Sequence, residues 1–474
     1  MGIATFIEQL EKAPISRDSK IWKDSSKADF QESLARWTDV EKKEPGAVFT
    51  HSITYGDGTG ADMQQSMVKL ALEATVPFVA RAGGHSSWST IGPSGFILDL
   101  SLMRSVTVDS ENRTATANAG ALIGDVVKAV DEKGYAAVTG TVDSVGFIPS
   151  TIGGGITLLA PLVGFGSDNI VSARMVTAKG DIITISEDEN IELLYAIKGA
   201  GQFFGIVTSL TVKIHPLSIL GTPGGTVWSA RLGFDVSKAA EVAEAAIQVK
   251  QTTTRSYCLA GVLPAPPTLN PIIMAVIIQL GSKADAEEAF KPLLDLGPIA
   301  VLARDEVPFG RVNEAFEAFE SKGGLKKWLA VGLTSMKQFQ PEDMTRLVEQ
   351  RARVTEKYPS AKPTGSVIEF TSCGPWDKVT EEKETAWSHR DIAIWCHLLR
   401  WSSDKEGLDY AYEVAQETKE DLRRRQEKDE YSIYGNFSRS APVKERFKGY
   451  GRLEKLRDLK LRWDPDGVFT REFL

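Results

Sequence analysis

Residues 77–87 read Pro-Phe-Val-Ala-Arg-Ala-Gly-Gly-His-Ser-Ser and carry the clearest indication of the fold. The apolar residues 76–80 predict a buried strand, and Gly83-Gly84 turn the chain at its end. Because adjacent glycines let successive backbone N–H groups converge on an anion, this turn is typical of a phosphate cradle. It is not a P-loop, since the pattern Gly-x-x-x-x-Gly-Lys-Ser/Thr does not occur in the chain.

Two further glycine clusters follow within the next part of the chain. Residues 140–155 end in Gly153-Gly154-Gly155, and residues 199–205 read Gly-Ala-Gly-Gln-Phe-Phe-Gly. The second cluster has one residue too many for a dinucleotide fingerprint and precedes a predicted strand instead of a helix, which excludes a Rossmann domain. Any one cluster is also typical of tight turns in a β-rich domain, but three within about 120 residues favour a ligand site.

Predicted strands, helices and turns divide the chain into parts. Residues 1–46 are interpreted as a peripheral lead-in, and residues 47–216 predict one α+β unit with a long last strand ended by Pro216. Residues 217–430 predict an inserted α+β domain built on an antiparallel sheet, and residues 431–474 return to the texture of the first domain. The predicted strands of the inserted domain are 227–232, 257–262, 272–280, 366–371 and 392–401.

The composition excludes several classes of protein. The chain has 55 basic and 63 acidic residues, a net charge of -8, so it has no electrostatic footprint for nucleic acid or an anionic membrane. The three cysteines, Cys258, Cys373 and Cys396, form no Cys-x-x-Cys pair, and no metal site is expected. Residues 1–14 lack the apolar segment of a signal peptide, and the apolar run over 272–278 is too short to span a membrane. We therefore expect a cytoplasmic protein; its oligomeric state is not indicated.

The order of these motifs resembles the vanillyl-alcohol oxidase/PCMH superfamily of flavoenzymes. The resemblance covers about 170 N-terminal residues, and the C-terminal motifs resemble the berberine-bridge-enzyme-like branch. It implies a PCMH-type FAD-binding domain, formed by the N-terminal part and the C-terminal return. The N-terminal segments are 77–86, 98–101, 153–155, 168–169, 176–180, 188–190 and 199–205, and the C-terminal ones are 434–437, 452–453 and 464–469.

The resemblance implies a bound FAD and assigns residues to it. His85 matches the position at which this branch links the 8α-methyl carbon of FAD to a histidine, although a lone histidine is more often structural. A second link would need a cysteine where this chain has Val142, so a monocovalent 8α-histidyl flavin is expected. The residues expected at the pyrophosphate are Arg81, Gly83, Gly84, Ser86 and Ser87, and those expected against the rest of the cofactor are Gly154, Gly155, Gly205, Val207, Asn436 and Phe437.

Oxidation by a flavin removes a hydride from a C–H bond while a base takes a proton. The foremost candidate for the base is Tyr434, whose phenol would need a nearby cation, Arg400 or His397, to lower its pKa. Glu369 is a second candidate, because a carboxylate is unusual in an otherwise apolar strand. His397 is the third. Each has a structural alternative: Tyr434 packing between lobes, Glu369 on a solvated face, and His397 as a core residue.

The sequence thus predicts an FAD-dependent oxidoreductase. We expect an oxidase that transfers hydride from a small organic molecule to the His-linked flavin, with O2 as the electron acceptor. Because no secretion signal is expected, we expect an intracellular small molecule of secondary metabolism, and the aromatic and apolar strands of the inserted domain favour an uncharged substrate. The alternative is an isomerase or cyclase that keeps the flavin fold but uses acid/base residues without net redox, and anaerobic turnover distinguishes the two.

Overall fold

The computed structural model describes residues 2–12, 20–50, 59–86, 88–371, 384–438, 442–449 and 451–469. Ser87 and Cys373 therefore lie outside the described residues. Within these ranges the chain forms three sheets and the helices that pack on them. The fold is α+β, as the sequence predicts.

Two of the three sheets are formed by residues before position 217. The first has the order β1-β2-β4-β3, in which β1 is antiparallel to β2 and the other pairs are parallel. The second has the order β5-β6-β10-β8-β9, and β7 pairs with the end of β10. The strands are β1 (Lys20–Trp22), β2 (Ala47–Thr50), β3 (Phe78–Arg81), β4 (Phe96–Asp99), β5 (Val106–Asp109), β6 (Thr114–Asn118), β7 (Tyr135–Ala137), β8 (Ile170–Val176), β9 (Ile182–Ile185) and β10 (Ile206–Pro216).

The third sheet has seven antiparallel strands in the order β14-β11-β13-β12-β16-β17-β15. Its central strands are almost continuously apolar because both faces of the sheet are covered. For example, Ile277 packs under the helices, whereas Val276 and Ile278 pack toward the second sheet. The strands are β11 (Thr226–Phe234), β12 (Ser256–Ala265), β13 (Asn270–Gln279), β14 (Ala300–Pro308), β15 (Leu325–Leu333), β16 (Gly365–Phe370) and β17 (Ile394–Ser402).

Polar side chains cap the N-termini of several helices. Asp404 accepts a hydrogen bond from the backbone N–H of Gly407, and Ser282 and Asp285 form a reciprocal capping box. The helices are α1 (Ile3–Lys12), α2 (Ala28–Ser33), α3 (Thr59–Ala74), α4 (Ile123–Asp131), α5 (Phe147–Ile152), α6 (Ala160–Val163), α7 (Ile191–Ile197), α8 (Ala239–Thr252), α9 (Lys283–Ala289), α10 (Lys291–Leu294), α11 (Pro341–Lys357), α12 (Lys405–Arg423), α13 (Val443–Arg446) and α14 (Arg452–Trp463).

The structure adds two features to the sequence prediction. Strands β14 and β15 were not predicted, because their charged residues interrupt the apolar pattern on which strand prediction rests. The N-terminal segment is more than a peripheral lead-in: β1 extends the first sheet, and Phe6 of α1 is fully buried in its core. At the other end of the chain, Leu456 and Leu459 of α14 join the core of the second sheet.

Candidate active site

The loop after β3 holds His85 against the segment that precedes the glycine triplet. Gly84 has a φ of +76°, a conformation that favours glycine. A Cβ added at Gly83 would lie 2.6 Å from the backbone nitrogen of Gly146, so this close approach also requires glycine. The imidazole Nε2 of His85 lies 3.1 Å from Ser144 Oγ. The loop is therefore shaped by backbone contacts that only glycine permits.

The backbone N–H groups of this loop are available to a ligand. Among the described residues, none accepts a hydrogen bond from the N–H of Gly83, Gly84, His85 or Ser86. A run of such N–H donors at a turn forms an anion-binding concavity. These groups fit the pyrophosphate of FAD, which would be held here by the backbone.

His85 is held in its neutral form. Burial lowers the pKa of His85 to about 4, and the positive charges of Lys322 and Lys326 act in the same direction. Both lysines belong to the segment around the start of β15, so the inserted domain reaches the loop. A neutral imidazole retains the lone pair that a covalent bond to a flavin carbon requires.

Two of the residues predicted at the pyrophosphate, Arg81 and Ser86, have side chains that bond to protein groups and stabilise the loop. The guanidinium of Arg81 lies 3.3 Å from the Asp99 carboxylate and donates to the carbonyl oxygens of Ser33 and Ala35. Arg81 therefore supports the loop, and its charge is already compensated by Asp99. The hydroxyl of Ser86 accepts a hydrogen bond from the N–H of Trp88, which closes the loop on itself.

The remaining predicted cofactor residues lie in two places. A Cβ at Gly154 would lie 2.2 Å from the Trp387 ring, and one at Gly155 would lie 2.8 Å from Gly166. Gly154 therefore permits close packing against Trp387, and Gly155 permits the close approach of the segment at Gly166. Gly205 packs against Met175 directly before β10, and Val207 within β10 pairs with β8.

Asn436 and Phe437 lie beside Tyr434 in the C-terminal return. The Nδ2 of Asn436 donates to the phenolic oxygen of Tyr434 at 2.8 Å and lies over the glycine triplet. The ring of Phe437 stacks on Trp328 with the ring centroids 4.4 Å apart, and its edge faces Tyr434. The C-terminal segment thus joins the glycine triplet to the inserted sheet.

Glu369 and His397 form a buried pair on neighbouring strands of the inserted sheet. His397 Nε2 lies 2.9 Å from Glu369 Oε2, and the indole Nε1–H of Trp328 donates to His397 Nδ1 at 3.1 Å. Because an indole N–H is only a donor, Nδ1 must be the acceptor and Nε2 carries the ring proton. His397 therefore donates to the Glu369 carboxylate and orients it.

Tyr257 lies beside the same carboxylate. Burial and the neighbouring negative charge of Glu369 raise the pKa of Tyr257 well above its ordinary value. Tyr257 and Glu369 also border a cavity of about 20 Å³, whose other lining residues include Ile156, Phe165, Thr371 and Trp395. The carboxylate thus faces a small space with mostly apolar walls.

Tyr434 is buried, and its phenol is neutral. Burial raises the pKa of Tyr434 to about 12, although hydrogen bonds from the Gly155 N–H and the Asn436 amide oppose this rise. The lowering of this pKa by a cation, which the sequence analysis requires for a tyrosine base, is not found. The ring packs against Trp387 and Trp395.

Arg400 is not brought to this group of side chains. Its guanidinium lies on the opposite face of the sheet and donates to the carbonyl oxygens of Ala411 at 3.0 Å and Gly365 at 2.8 Å. Because strand side chains alternate, Arg400 and His397 point to opposite faces of β17. Arg400 therefore joins α12 to the sheet, and we do not retain it as a catalytic candidate.

The sequence analysis missed two residues of the site, Trp328 and Tyr257. Trp328 lies on β15, the strand that was not predicted, and Tyr257 lies on β12, which was predicted but without a role for its phenol. Tyr257 is the single aromatic residue of β12, and a polar group at the end of that side chain was the one signal for it.

In the part of the chain that the structure describes, no helix is long and apolar enough to cross a membrane, and no group of three or more side chains is arranged to bind a metal.

Comparison with known proteins agrees with this geometry. Residues 59–186 match the FAD binding domain family. The chain is 30% identical over 460 residues to FAD-linked oxidoreductase hasG of Aspergillus fumigatus, covering 93% of both chains, and 29% identical over 357 residues to (R)-6-hydroxynicotine oxidase of Paenarthrobacter nicotinovorans, covering 74% of both. Among solved structures, the BBE-like 1 protein of Physcomitrella patens superposes with a TM-score of 0.81 at 17% identity, over 98% of this chain and 97% of that one.

The similarity to hasG extends over nearly the whole length of both proteins, so it includes the inserted sheet as well as the FAD-binding domain. The chain therefore belongs to the FAD-linked oxidoreductases, and its fold is that of the BBE-like structures.

Proposed function

We propose that this FAD-dependent oxidoreductase is an oxidase of a small organic molecule whose reacting C–H carbon carries an O–H or N–H group. When bound, FAD supplies the acceptor for the hydride and passes both electrons to O2, which yields hydrogen peroxide. The proton of the O–H or N–H goes to a protein base, and the product contains a C=O or C=N bond. The side chains around Glu369 include Ile156, Phe165 and Trp395, and these apolar neighbours support a largely apolar substrate of the kind found in secondary metabolism.

The observation that carries this proposal is the hydrogen-bonded series Trp328–His397–Glu369. The tautomer of His397 directs a proton at Glu369, so the carboxylate is oriented with lone pairs left for the substrate. A positioned carboxylate is a competent general base. Tyr434, with a pKa of about 12, is protonated at neutral pH and suits a hydrogen-bond donor to the substrate better than a base.

We further propose that FAD is attached to His85 through one bond between the imidazole and the 8α-methyl carbon. The imidazole would lose its N–H proton and the carbon one C–H proton, and the two electrons released would pass to the flavin and then to O2. The neutral imidazole, its contact with Ser144 and the adjacent N–H donors support this attachment. Val142, at the position where bicovalent relatives carry a cysteine, has no thiol for a second bond. Acid-precipitated protein should stay yellow and gain the mass of one FAD, whereas flavin released entirely into the supernatant would contradict the proposal.

The test of the function uses the flavin as its own indicator. A panel of small alcohols and amines, including hydroxynicotine because one relative is named as its oxidase, is mixed anaerobically with the holoenzyme. Bleaching of the flavin absorbance by one compound, followed by recovery and equimolar hydrogen peroxide when O2 is admitted, supports the oxidase. Sustained anaerobic turnover without bleaching would instead support the redox-neutral isomerase or cyclase.

A further inference from the structure

The short segment 36–39 lies between the His85 loop and the inserted domain. On the loop side, the backbone N–H of Trp37 donates to the carbonyl oxygen of Gly84 at 3.1 Å. The guanidinium of Arg36 donates to the carbonyl oxygens of Ser89, at 2.9 Å, and Ser86. Residues 36 and 37 therefore hold the carbonyl groups on both sides of His85.

The other end of the segment holds the start of β15. The hydroxyl of Thr38 donates to the carbonyl oxygen of Lys326 at 2.7 Å and accepts from the Lys326 N–H at 3.1 Å. The carboxylate of Asp39 accepts from the Gly324 N–H at 2.7 Å, and the Asp39 N–H donates to the Gly324 carbonyl at 2.9 Å. Residues 38 and 39 therefore bind the backbone of residues 324 and 326, mainly through their side chains.

Arg36 and Trp37 also reach the inserted domain. The backbone N–H of Gly323 donates to the Arg36 carbonyl at 2.7 Å. The Trp37 ring lies 5.9 Å from the Trp328 ring, centroid to centroid, and the Lys326 ammonium lies 5.4 Å from the Trp37 centroid. Trp328 is the residue that donates to His397, so the segment contacts both halves of the site.

We propose that residues 36–39 form a clasp that sets the position of the His85 loop relative to β15, and that Thr38 is its central positioning residue. The catalytic consequence rests on the proposed roles of His85 and Glu369. The flavin would be fixed through the His85 loop, whereas the base is oriented through Trp328 on β15. The clasp thus connects the His85 loop, which would hold the flavin, directly to β15, which carries Trp328.

The positive charges near His85 fit this role of the clasp. Lys326, which the clasp holds by its backbone, and Lys322 in the preceding turn both act to keep the His85 imidazole neutral. If the start of β15 moved away from the loop, this electrostatic effect would weaken. Loss of the clasp should therefore slow covalent attachment of FAD to His85. It should also increase the motion of the His85 loop and of the start of β15.

The test compares Thr38→Val with Thr418→Val. Valine has nearly the shape of threonine but no hydroxyl. Thr418 is the control, since its buried hydroxyl donates to the carbonyl oxygen of Val414 at 2.6 Å and to Gln350 Oε1 at 2.8 Å, on the helix α12. For Thr38→Val we expect hydrogen exchange of residues 323–328 and 84–89 to be about tenfold faster, because buried backbone groups lose their partners. Thr418→Val should leave exchange in both segments within about twofold, and Thr38→Ser should restore the exchange that Thr38→Val alters.

A second variant, Asp39→Ala, changes an exposed side chain and keeps the fold. It should speed exchange at 323–326 by about threefold, since one hydrogen bond is lost. The fraction of covalent flavin should fall in Thr38→Val and Asp39→Ala but not in Thr418→Val. Unchanged exchange in both clasp variants, or equal effects in Thr38→Val and Thr418→Val, would overturn the clasp.

The experiment also separates the clasp from the proposed flavin link. If wild-type protein releases all its flavin in acid, the covalent link fails while the exchange measurement still decides the clasp. In the His85→Ala background, FAD is held without a bond, and Thr38→Val should then weaken FAD affinity several-fold. Unchanged affinity and exchange in that background would count against the clasp alone.

Discussion

The loop around His85 has backbone N–H groups without partners among the described residues, whereas the cluster around Glu369 is made of side chains. The loop is one continuous stretch, shaped by the +76° φ of Gly84 and the close approach of Gly83 to Gly146. The cluster instead joins Trp328, Glu369 and His397 from three different strands. A glycine-rich loop can be recognised in the local sequence, whereas a cluster of side chains from three strands exists only once those strands are paired.

The largest effect is expected when the cluster loses its base. Glu369→Gln keeps the size and a hydrogen-bond acceptor for His397 but removes the carboxylate. Turnover should fall by about 10²–10⁴, the usual contribution of a general base, while flavin content and melting temperature stay close to wild type. Stopped-flow measurement of flavin bleaching checks this, because it reports the reductive half-reaction directly.

Tyr434→Phe is the comparison variant for that experiment. It removes an oxygen that accepts hydrogen bonds from Asn436 and Gly155, so it should cost about 1–3 kcal/mol of stability with a smaller kinetic loss than Glu369→Gln. A greater loss of turnover in Tyr434→Phe than in Glu369→Gln would support Tyr434 as the base and contradict the role given to Glu369.

The second prediction concerns the loop and acid. The unfolded chain binds a proton on His85 near pH 6.5, but the folded chain does so only near pH 4, so acid favours unfolding. In flavin-free protein, His85 should therefore lower the free energy of unfolding by up to roughly 1.4 kcal/mol per pH unit as pH falls from about 6.5 to 4. Above pH 6.5 its contribution is constant. Denaturant titrations of wild type and His85→Gln should diverge only in this range, and parallel curves would show that the loop does not hold His85 neutral.

The third prediction tests whether the cluster acts through the tautomer of His397. Trp328→Phe keeps a ring to stack on Phe437 but removes the N–H that donates to His397 Nδ1. Turnover should fall about three- to tenfold, as for one neutral hydrogen bond, with a shift in its pH profile. Trp228→Phe is the control, since its buried indole nitrogen has no hydrogen-bond partner among the described residues. Equal turnover in Trp328→Phe and Trp228→Phe would show that Trp328 does not contribute to catalysis through His397.

The smallest effect is expected from one methyl group in the loop. Gly84→Ala and Gly134→Ala both place alanine at a φ near +80°, and each should cost about 1 kcal/mol of stability. A Cβ at Gly134 has open space, whereas one at Gly84 lies 3.2 Å from Arg81 Nε and 3.3 Å from the Ala35 carbonyl. Only Gly84→Ala should also weaken FAD binding, measured by flavin fluorescence. Loss of FAD in both variants would point to general destabilisation.

Much of the fold could be predicted from local patterns. The hairpin of β8 and β9 follows from apolar alternation around Lys179-Gly180, and β10 ends at Pro216 as predicted. Strands β14 and β15 were missed because Arg304, Lys326 and Lys327 interrupt the apolar pattern. Their strand conformation is stabilised by pairing with β11 and β17, which are distant in sequence.

The sequence by itself located the glycine-rich loop around His85, because adjacent glycines after a strand indicate where backbone N–H groups can converge. Only the tertiary structure decided which side chains share the site. It placed Arg400 against α12 and Trp328 against His397, since strand order and the face of each residue follow from pairing between distant segments. The tertiary structure likewise placed residues 36–39 between the His85 loop and the start of β15. Their hydrogen-bond partners are backbone groups distant in sequence, so the contacts exist only after folding.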